Sequence, residues 1–144
     1  MSRLLADGVD PMAIRMALLT HHYRSDWEWT DAVLGDAEAR LARWRAALAR
    51  AEAAEAVTAE AASAEAVTAA AVTPGTAPAA AAEMVLSGVR ARMRDDLDAP
   101  GALAVVDHWA DTLVAEPPIR ITAADLAGAR LVKAAVDALL GISL

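Results

Sequence analysis

Apolar residues recur along this 144-residue chain at the three- and four-residue spacing of an α-helix, and nowhere at the alternating spacing of a strand. The clearest stripe is Val33, Leu34, Ala37, Leu41, Trp44 and Leu48. Glu38, Arg40, Arg43, Arg45 and Arg50 fall mainly on the other faces, where a solvated surface is expected. A chain patterned this way has to pack helix on helix.

The punctuation divides the stripes into separate helices. Asp10 is a natural N-cap, and Pro11 suits the first helical position because its missing N–H would be unpaired there anyway. A first helix is therefore predicted from Pro11 to Thr20 or His22, with Ile14, Ala17, Leu18 and Leu19 on its apolar side. A loop holds Tyr23 to Trp29. Thr30 then caps a second helix that frays after Ala51, with Asp31 favoured by the positive end of the helix dipole. A third helix is expected over Ala80–Leu97, on the stripe Met84, Val85, Val89, Met93 and Leu97. Asp98 and Pro100 open a fourth, which runs through Leu103, Val106, Trp109, Ala110 and Leu113 until Glu116-Pro117-Pro118 ends it. Thr122 and Asp125 resemble a capping box for a fifth, carrying Leu126, Ala129, Val132, Val136, Leu139 and Leu140 to Gly141. The expected fold class is all-α: an antiparallel bundle of about five helices, two pairs plus one, with an alanine-rich low-complexity linker.

That linker spans 52–82 and separates a first helical pair, 1–51, from a three-helix part, 83–144. It contains the unit AEAVTA twice, at Ala54–Ala59 and Ala64–Ala69, too few copies for a solenoid that buries a core by stacking. Thr73-Pro74-Gly75-Thr76 and Pro78 interrupt its helical tendency, so frayed helix or disorder with a tethering role is expected.

Composition narrows function by exclusion. The hydrophobic fraction of 57% is inflated by alanine, which favours helix but buries little surface. With no Phe and a single Tyr, the core must come from Leu, Val, Ile, Met and four Trp. Absence of cysteine excludes a disulfide scaffold and suits a cytoplasmic protein. No apolar run is long enough for a membrane span, and the N-terminus lacks a signal pattern. The net charge of −7 is uneven: residues 1–50 balance seven Arg against seven acids, 51–83 hold five Glu and no base, and 84–144 hold six bases and eight acids. Neither flank is basic, which counts against binding a phosphate backbone.

The groups that could carry chemistry are few. Adjacent His21 and His22 point to different sides of a helix, and with only His108 elsewhere no metal site is expected. Asp95, Asp96 and Asp98 are read as structural, with Arg90, Arg92 and Arg94 as counter-charges and Asp98 as a cap. A divalent ion at this cluster is the lesser alternative. Trp27 and Trp29, two apart, would face one side of an extended loop. They either fill a seam, between helices or against another domain, or stack on a sugar or base. Arg24 beside Tyr23 has an ATP-phosphate contact across such a seam as its minor reading. No phosphate-cradling loop or Ser/His/Asp constellation occurs, so no residue is assigned as catalytic, cofactor-binding or metal-binding.

Two blocks carry a resemblance. Asp10, Pro11, Met12, Ala13, Ile14 and Arg15, followed by His22, Tyr23, Arg24 and Ser25, match a pattern of cysteinyl-tRNA synthetase-like enzymes. Met93 to Pro100 (MRDDLDAP) resembles a second block of the same family, with Arg94, Asp98 and Ala99 as departures. Asp26, Trp27, Glu28, Trp29 and Thr30 replace the Pro-Leu-Asn-Phe-Ser/Thr run of the synthetases, and resemble the branch that joins cysteine to glucosaminyl-inositol in mycothiol biosynthesis. The matched regions are about Ser2–Leu48 and Val85–Leu140.

The resemblance implies that this is a non-catalytic C-terminal helical part, with ATP and zinc belonging to the longer parent. Its partner would be the missing N-terminal catalytic domain, with no tRNA and no membrane. The alternatives are the tRNA-stem-contacting bundle of a synthetase, or a free-standing interaction domain from a truncated gene. The family's His-Ile-Gly-His-type motif, zinc-binding cysteines and lysine loop have no counterpart here, since the single lysine is Lys133. Ser2 aligns just past that loop, so Met1 is expected to be a boundary within a longer reading frame, a misassigned start, or the start of a shortened gene.

The 144-residue chain is accordingly expected to show no cysteine-dependent ATP–pyrophosphate exchange. An isotope-exchange assay on the purified chain checks this, and exchange above background would place adenylate chemistry here.

Overall fold

A computed structural model describes residues 2–64, 77–115 and 123–144, and among them every regular element is a helix. The elements are α1 (Ser2–Ala6), α2 (Pro11–Leu19), α3 (Asp31–Ala64), α4 (Ala77–Arg94), α5 (Ala99–Ala115) and α6 (Ala123–Leu140). The all-α expectation holds, with six helices among the described residues where the spacing predicts about five. That addition, α1, is five residues long, too short to show a periodic stripe. Gly8 closes it at φ 81°, a left-handed conformation open to glycine, while the Val9 N–H reaches back to the Leu4 carbonyl at 3.0 Å.

The caps read from sequence are in place. Met12 N–H donates to Asp10 Oδ1 at 2.8 Å, Val33 N–H to Thr30 Oγ1 at 3.3 Å, and Gly101 N–H to Asp98 Oδ1 at 2.9 Å. Gly101 also allows a close approach, since a Cβ there would strike the Asp98 carboxylate that Arg92 holds at 3.1 Å. The capping role of Thr122 and the break at Thr73–Thr76 lie outside the described residues. The second helix does not end near Ala51: α3 continues to Ala64, well into the stretch read as linker. Pro78 falls in the first turn of α4 rather than breaking a helix, at a position where a missing N–H costs nothing.

α3 packs on α2, α5 and α6, while α4 packs on α6 and α5. Two hairpins are antiparallel. Thr20 meets Arg40 and Asp10 meets Arg45 across α2 and α3; Gly88 faces Val105 and Arg92 reaches Asp98 across α4 and α5. The core between them holds Met16, Leu41, Trp44, Val89, Leu103, Val106, Val132, Val136 and Ile142, all essentially inaccessible. Ala13, Ala17, Ala37, Ala47, Ala51, Ala82, Ala102, Ala110 and Ala129 are buried among them.

Several side chains depart from their expected places. The arginines of α3 are not simply a solvated face. Arg40 and Arg43 bind Asp107 of α5 at 3.1 and 2.9 Å, Arg43 also binds Asp111 at 3.1 Å, and Arg45 binds Asp10 at 2.7 Å. Trp44 lies on the predicted stripe, fully buried, and its Nε1–H donates to Asp107 Oδ1 at 2.8 Å. Met84 and Leu97, placed on the apolar stripe of the third helix, are 70% and 54% exposed. Met84 faces an open groove of about 570 Å³ shared with Val105, His108 and Trp109. Leu97 lies beyond the end of α4, because the helix stops at Arg94.

The chain turns from α4 to α5 through Asp96 and Leu97 at φ 49° and 56°. Left-handed backbone costs an L-residue about 1–2 kcal/mol, and aspartate tolerates it better than leucine. Leu97 recovers little of that cost by burial. Leu97→Gly is therefore expected to leave the fold intact and to raise stability by up to about 1 kcal/mol, measured by urea unfolding. Leu97→Val, branched at Cβ, is expected to lower it.

Candidate functional site

The geometry singles out one cluster, where the loop after α2 meets the turn between α4 and α5. α2 ends at Leu19, and the Thr20 hydroxyl and N–H both bond the Met16 carbonyl, terminating the helix. His21 to Trp29 then cross the end of the bundle. His22, Tyr23 and Arg24 all converge on Asp96, more than 70 positions away in sequence.

Each contact has a defined polarity. Tyr23 Oη–H donates to Asp96 Oδ1 at 2.7 Å, and Arg24 Nη1 donates to Oδ2 at 2.8 Å. His22 Nε2 lies 3.0 Å from the Asp96 carbonyl oxygen, so that nitrogen must carry the proton. Nδ1 is then free to accept the Arg24 N–H, at a long 3.4 Å. For Asp96, the counter-charge that the sequence assigns to the cluster from Arg90, Arg92 and Arg94 is supplied by Arg24, with the uncharged Tyr23 hydroxyl as a second donor. Arg92 pairs with Asp98 as read, at 3.1 Å. The Tyr23 hydroxyl and the Arg24 guanidinium hold the Asp96 carboxyl below its ordinary range. The same Asp96 bond keeps the Tyr23 hydroxyl protonated to higher pH than usual.

Beside the cluster, the His21 ring stacks on Trp27 with centroids 4.1 Å apart and planes 5° from parallel. Trp29 stands tilted to Trp27 at 6.0 Å. One face of Trp27 is thereby covered, which favours packing over an open stacking platform for a base. Trp29 continues into a shallow cavity of about 570 Å³ lined by Leu4, Ile14 and Leu18, with Arg3, Asp7 and Asp31 at its edge. Leu18 is 40% exposed and Leu5 nearby in sequence is 50% exposed, so this end of the bundle offers uncovered apolar surface.

Among the described residues no three His, Cys, Asp or Glu side chains converge, and the Asp96 oxygens are both engaged. The Arg24 guanidinium pairs with Asp96 at 2.8 Å. The Asp107 cluster between α3 and α5 was not anticipated. Its signal in sequence was there, in the arginines at three- and four-residue spacing with Trp44, but identifying their partner needed the tertiary fold. Among the described residues, no helix is long and apolar enough to cross a membrane.

No known protein-family model matches the chain. Curated proteins do. It is 48% identical to the L-cysteine:1D-myo-inositol 2-amino-2-deoxy-alpha-D-glucopyranoside ligase of Streptosporangium roseum over 143 residues, which is 99% of the chain and 27% of that ligase. The ligases so named from Kytococcus sedentarius and Thermomonospora curvata are 49% and 46% identical, each across 99% of the chain and 29% and 27% of their own lengths. The chain spans less than a third of these relatives.

The three ionisation shifts give signed predictions. Asp96 and Asp10, the latter held down by the Arg45 bond and then by the Met12 N–H, bind protons less readily folded than unfolded. Their contribution is present above the unfolded carboxylate range and lost as pH falls through the folded values. Tyr23 has the opposite sign, contributing below the ordinary 10.0 and losing its contribution as pH rises through the folded value. Because it is the only tyrosine, its titration can be followed directly by tyrosinate absorbance. The midpoint is expected above 10.0 in the native chain and lower in Asp96→Asn, where the carboxylate is gone.

Proposed function

We propose that this chain, homologous along nearly all of its length to part of the glucosaminyl-inositol cysteine ligases, is the non-catalytic C-terminal helical bundle of such a ligase. In that reading the parent activates the cysteine carboxyl with ATP and transfers it to the sugar amine. ATP and zinc bind to the parent's other portion, and the bundle supplies support rather than reacting groups. The carrying observation is that two blocks resembling the synthetase-like family, around His22–Arg24 and around Asp96, form one hydrogen-bonded unit beside uncovered apolar surface. The cavity beside Trp29, with Leu4, Ile14 and Leu18, is the face we assign to the catalytic portion. The cytoplasm, where ATP and cysteine are available, is the compartment that fits.

The bundle of a tRNA synthetase is the competing reading, and charge speaks against it. A face for a polyanion needs gathered cations, but Arg40, Arg43 and Arg45 are spent on Asp107, Asp111 and Asp10, and Arg24 on Asp96. Net charge is −7.

Complementation tests the proposal. The Streptosporangium roseum ligase, with the stretch aligned to this chain removed, is assayed for ATP-dependent joining of cysteine to glucosaminyl-inositol, alone and with this chain added. Removal is expected to cost at least about tenfold in kcat/KM, equivalent to about 1.4 kcal/mol, with partial recovery on adding the chain. Undiminished activity after removal would overturn the supporting role. A parallel gel shift with cysteine tRNA at about 150 mM salt, where non-specific attraction is small, is expected to show no complex. Tight and selective binding there would favour the synthetase reading.

A further inference from the structure

The loop between α2 and α3 has little backbone structure of its own to hold it. Its turn closes through Ser25 N–H on the His22 carbonyl at 2.9 Å, and side chains add further contacts. Three of those, on consecutive residues, end on a single residue of the α4–α5 turn. That residue, Asp96, is one of two successive left-handed positions, a conformation that persists where surrounding contacts over-determine it. Its carboxylate is aimed at Tyr23 and Arg24 while its carbonyl is presented to His22. Immediately before His22 comes His21, stacked on Trp27, and Trp27 leans on Trp29 at the cavity.

We propose that Asp96 is a positioning residue: by holding His22, Tyr23 and Arg24 it fixes the 20–29 loop so that the His21–Trp27–Trp29 rings stand as a preformed ridge beside the α1–α2 cavity. The ridge's role in docking rests on the function proposed above; the latch itself is a property of this chain. Pre-setting the loop removes an ordering cost from any association made through these rings. Tyr23 and Arg24 act as the two side-chain bolts. Asp96 sits on the opposite hairpin, so the ridge is held by the packed bundle rather than by its own loop.

The four indole N–H signals in a nitrogen–proton correlation spectrum of the full chain test this. Trp44, bonded to Asp107, and Trp109 on α5 serve as internal references. Asp96→Ala is expected to shift and broaden the Trp27 and Trp29 signals through loss of the stack, leaving Trp44 and Trp109 in place. Asp96→Asn is expected to give a smaller displacement, since an amide oxygen still accepts from Tyr23 but no longer pairs with Arg24 by charge. Val106→Ala, a core truncation, controls for stability alone: it lowers the thermal midpoint but, well below it, leaves Trp27 and Trp29 unmoved. The proposal is overturned if Asp96→Ala leaves both signals in place, if it moves all four together, or if Val106→Ala displaces Trp27 and Trp29 equally. Failure of the docking reading would appear in the complementation assay and not in these spectra.

Discussion

The pairing of Trp44 with Asp107 joins the two halves of the bundle. Trp44 is buried at the middle of the helical face of α3, and its indole N–H finds its acceptor on α5 at 2.8 Å. The same carboxylate takes Arg40 and Arg43, so one residue of α5 satisfies three donors from α3. Replacing it by an apolar residue would leave the buried indole N–H unpaired, a penalty of about 1–3 kcal/mol before any loss from the arginines. The pair also limits sliding, because only one register of α3 on α5 brings Trp44 and both arginines to Asp107.

Around that pin the bundle is built from small side chains. Without phenylalanine, close packing is reached by bringing helices together over alanine and letting Met16, Leu103 and the valines of α4 to α6 fill between them. A thin core of this kind has little surplus, which gives weight to the polar contacts at its ends. The Asp10–Arg45 pair ties the start of α2 to α3, and the Asp96 latch ties the loop after α2 to the far hairpin. The candidate site thus depends on the order of the whole bundle: Asp96 reaches Tyr23 because α4 and α5 pack where α3 and α6 hold them.

The resemblance to cysteine ligases acquires a physical content from this arrangement. Two blocks that sequence shows as separate matches prove to be the two sides of one contact. The Trp-Glu-Trp stretch lies beside it, with Trp27 covered on one face by His21. Those rings are therefore part of a packed surface.

Local rules were enough for part of this. Asp10, Thr30 and Asp98 as caps, Pro11 and Pro100 in first turns, and Leu41, Trp44, Val106 and Val136 as core all follow from spacing and from backbone donors that helix ends leave unpaired. What required the tertiary structure is everything set by which helix meets which. Arg40 and Arg43 look like solvated charges until α5 brings Asp107 to them. Met84 looks like core until the packing of α4 turns it to the groove. Leu97 looks like the last rung of a helix until the α4–α5 turn claims it at φ 56°. Periodicity assigns a residue to a face of its own helix, but only the packed bundle decides which face is covered, and partners tens of residues apart meet only there.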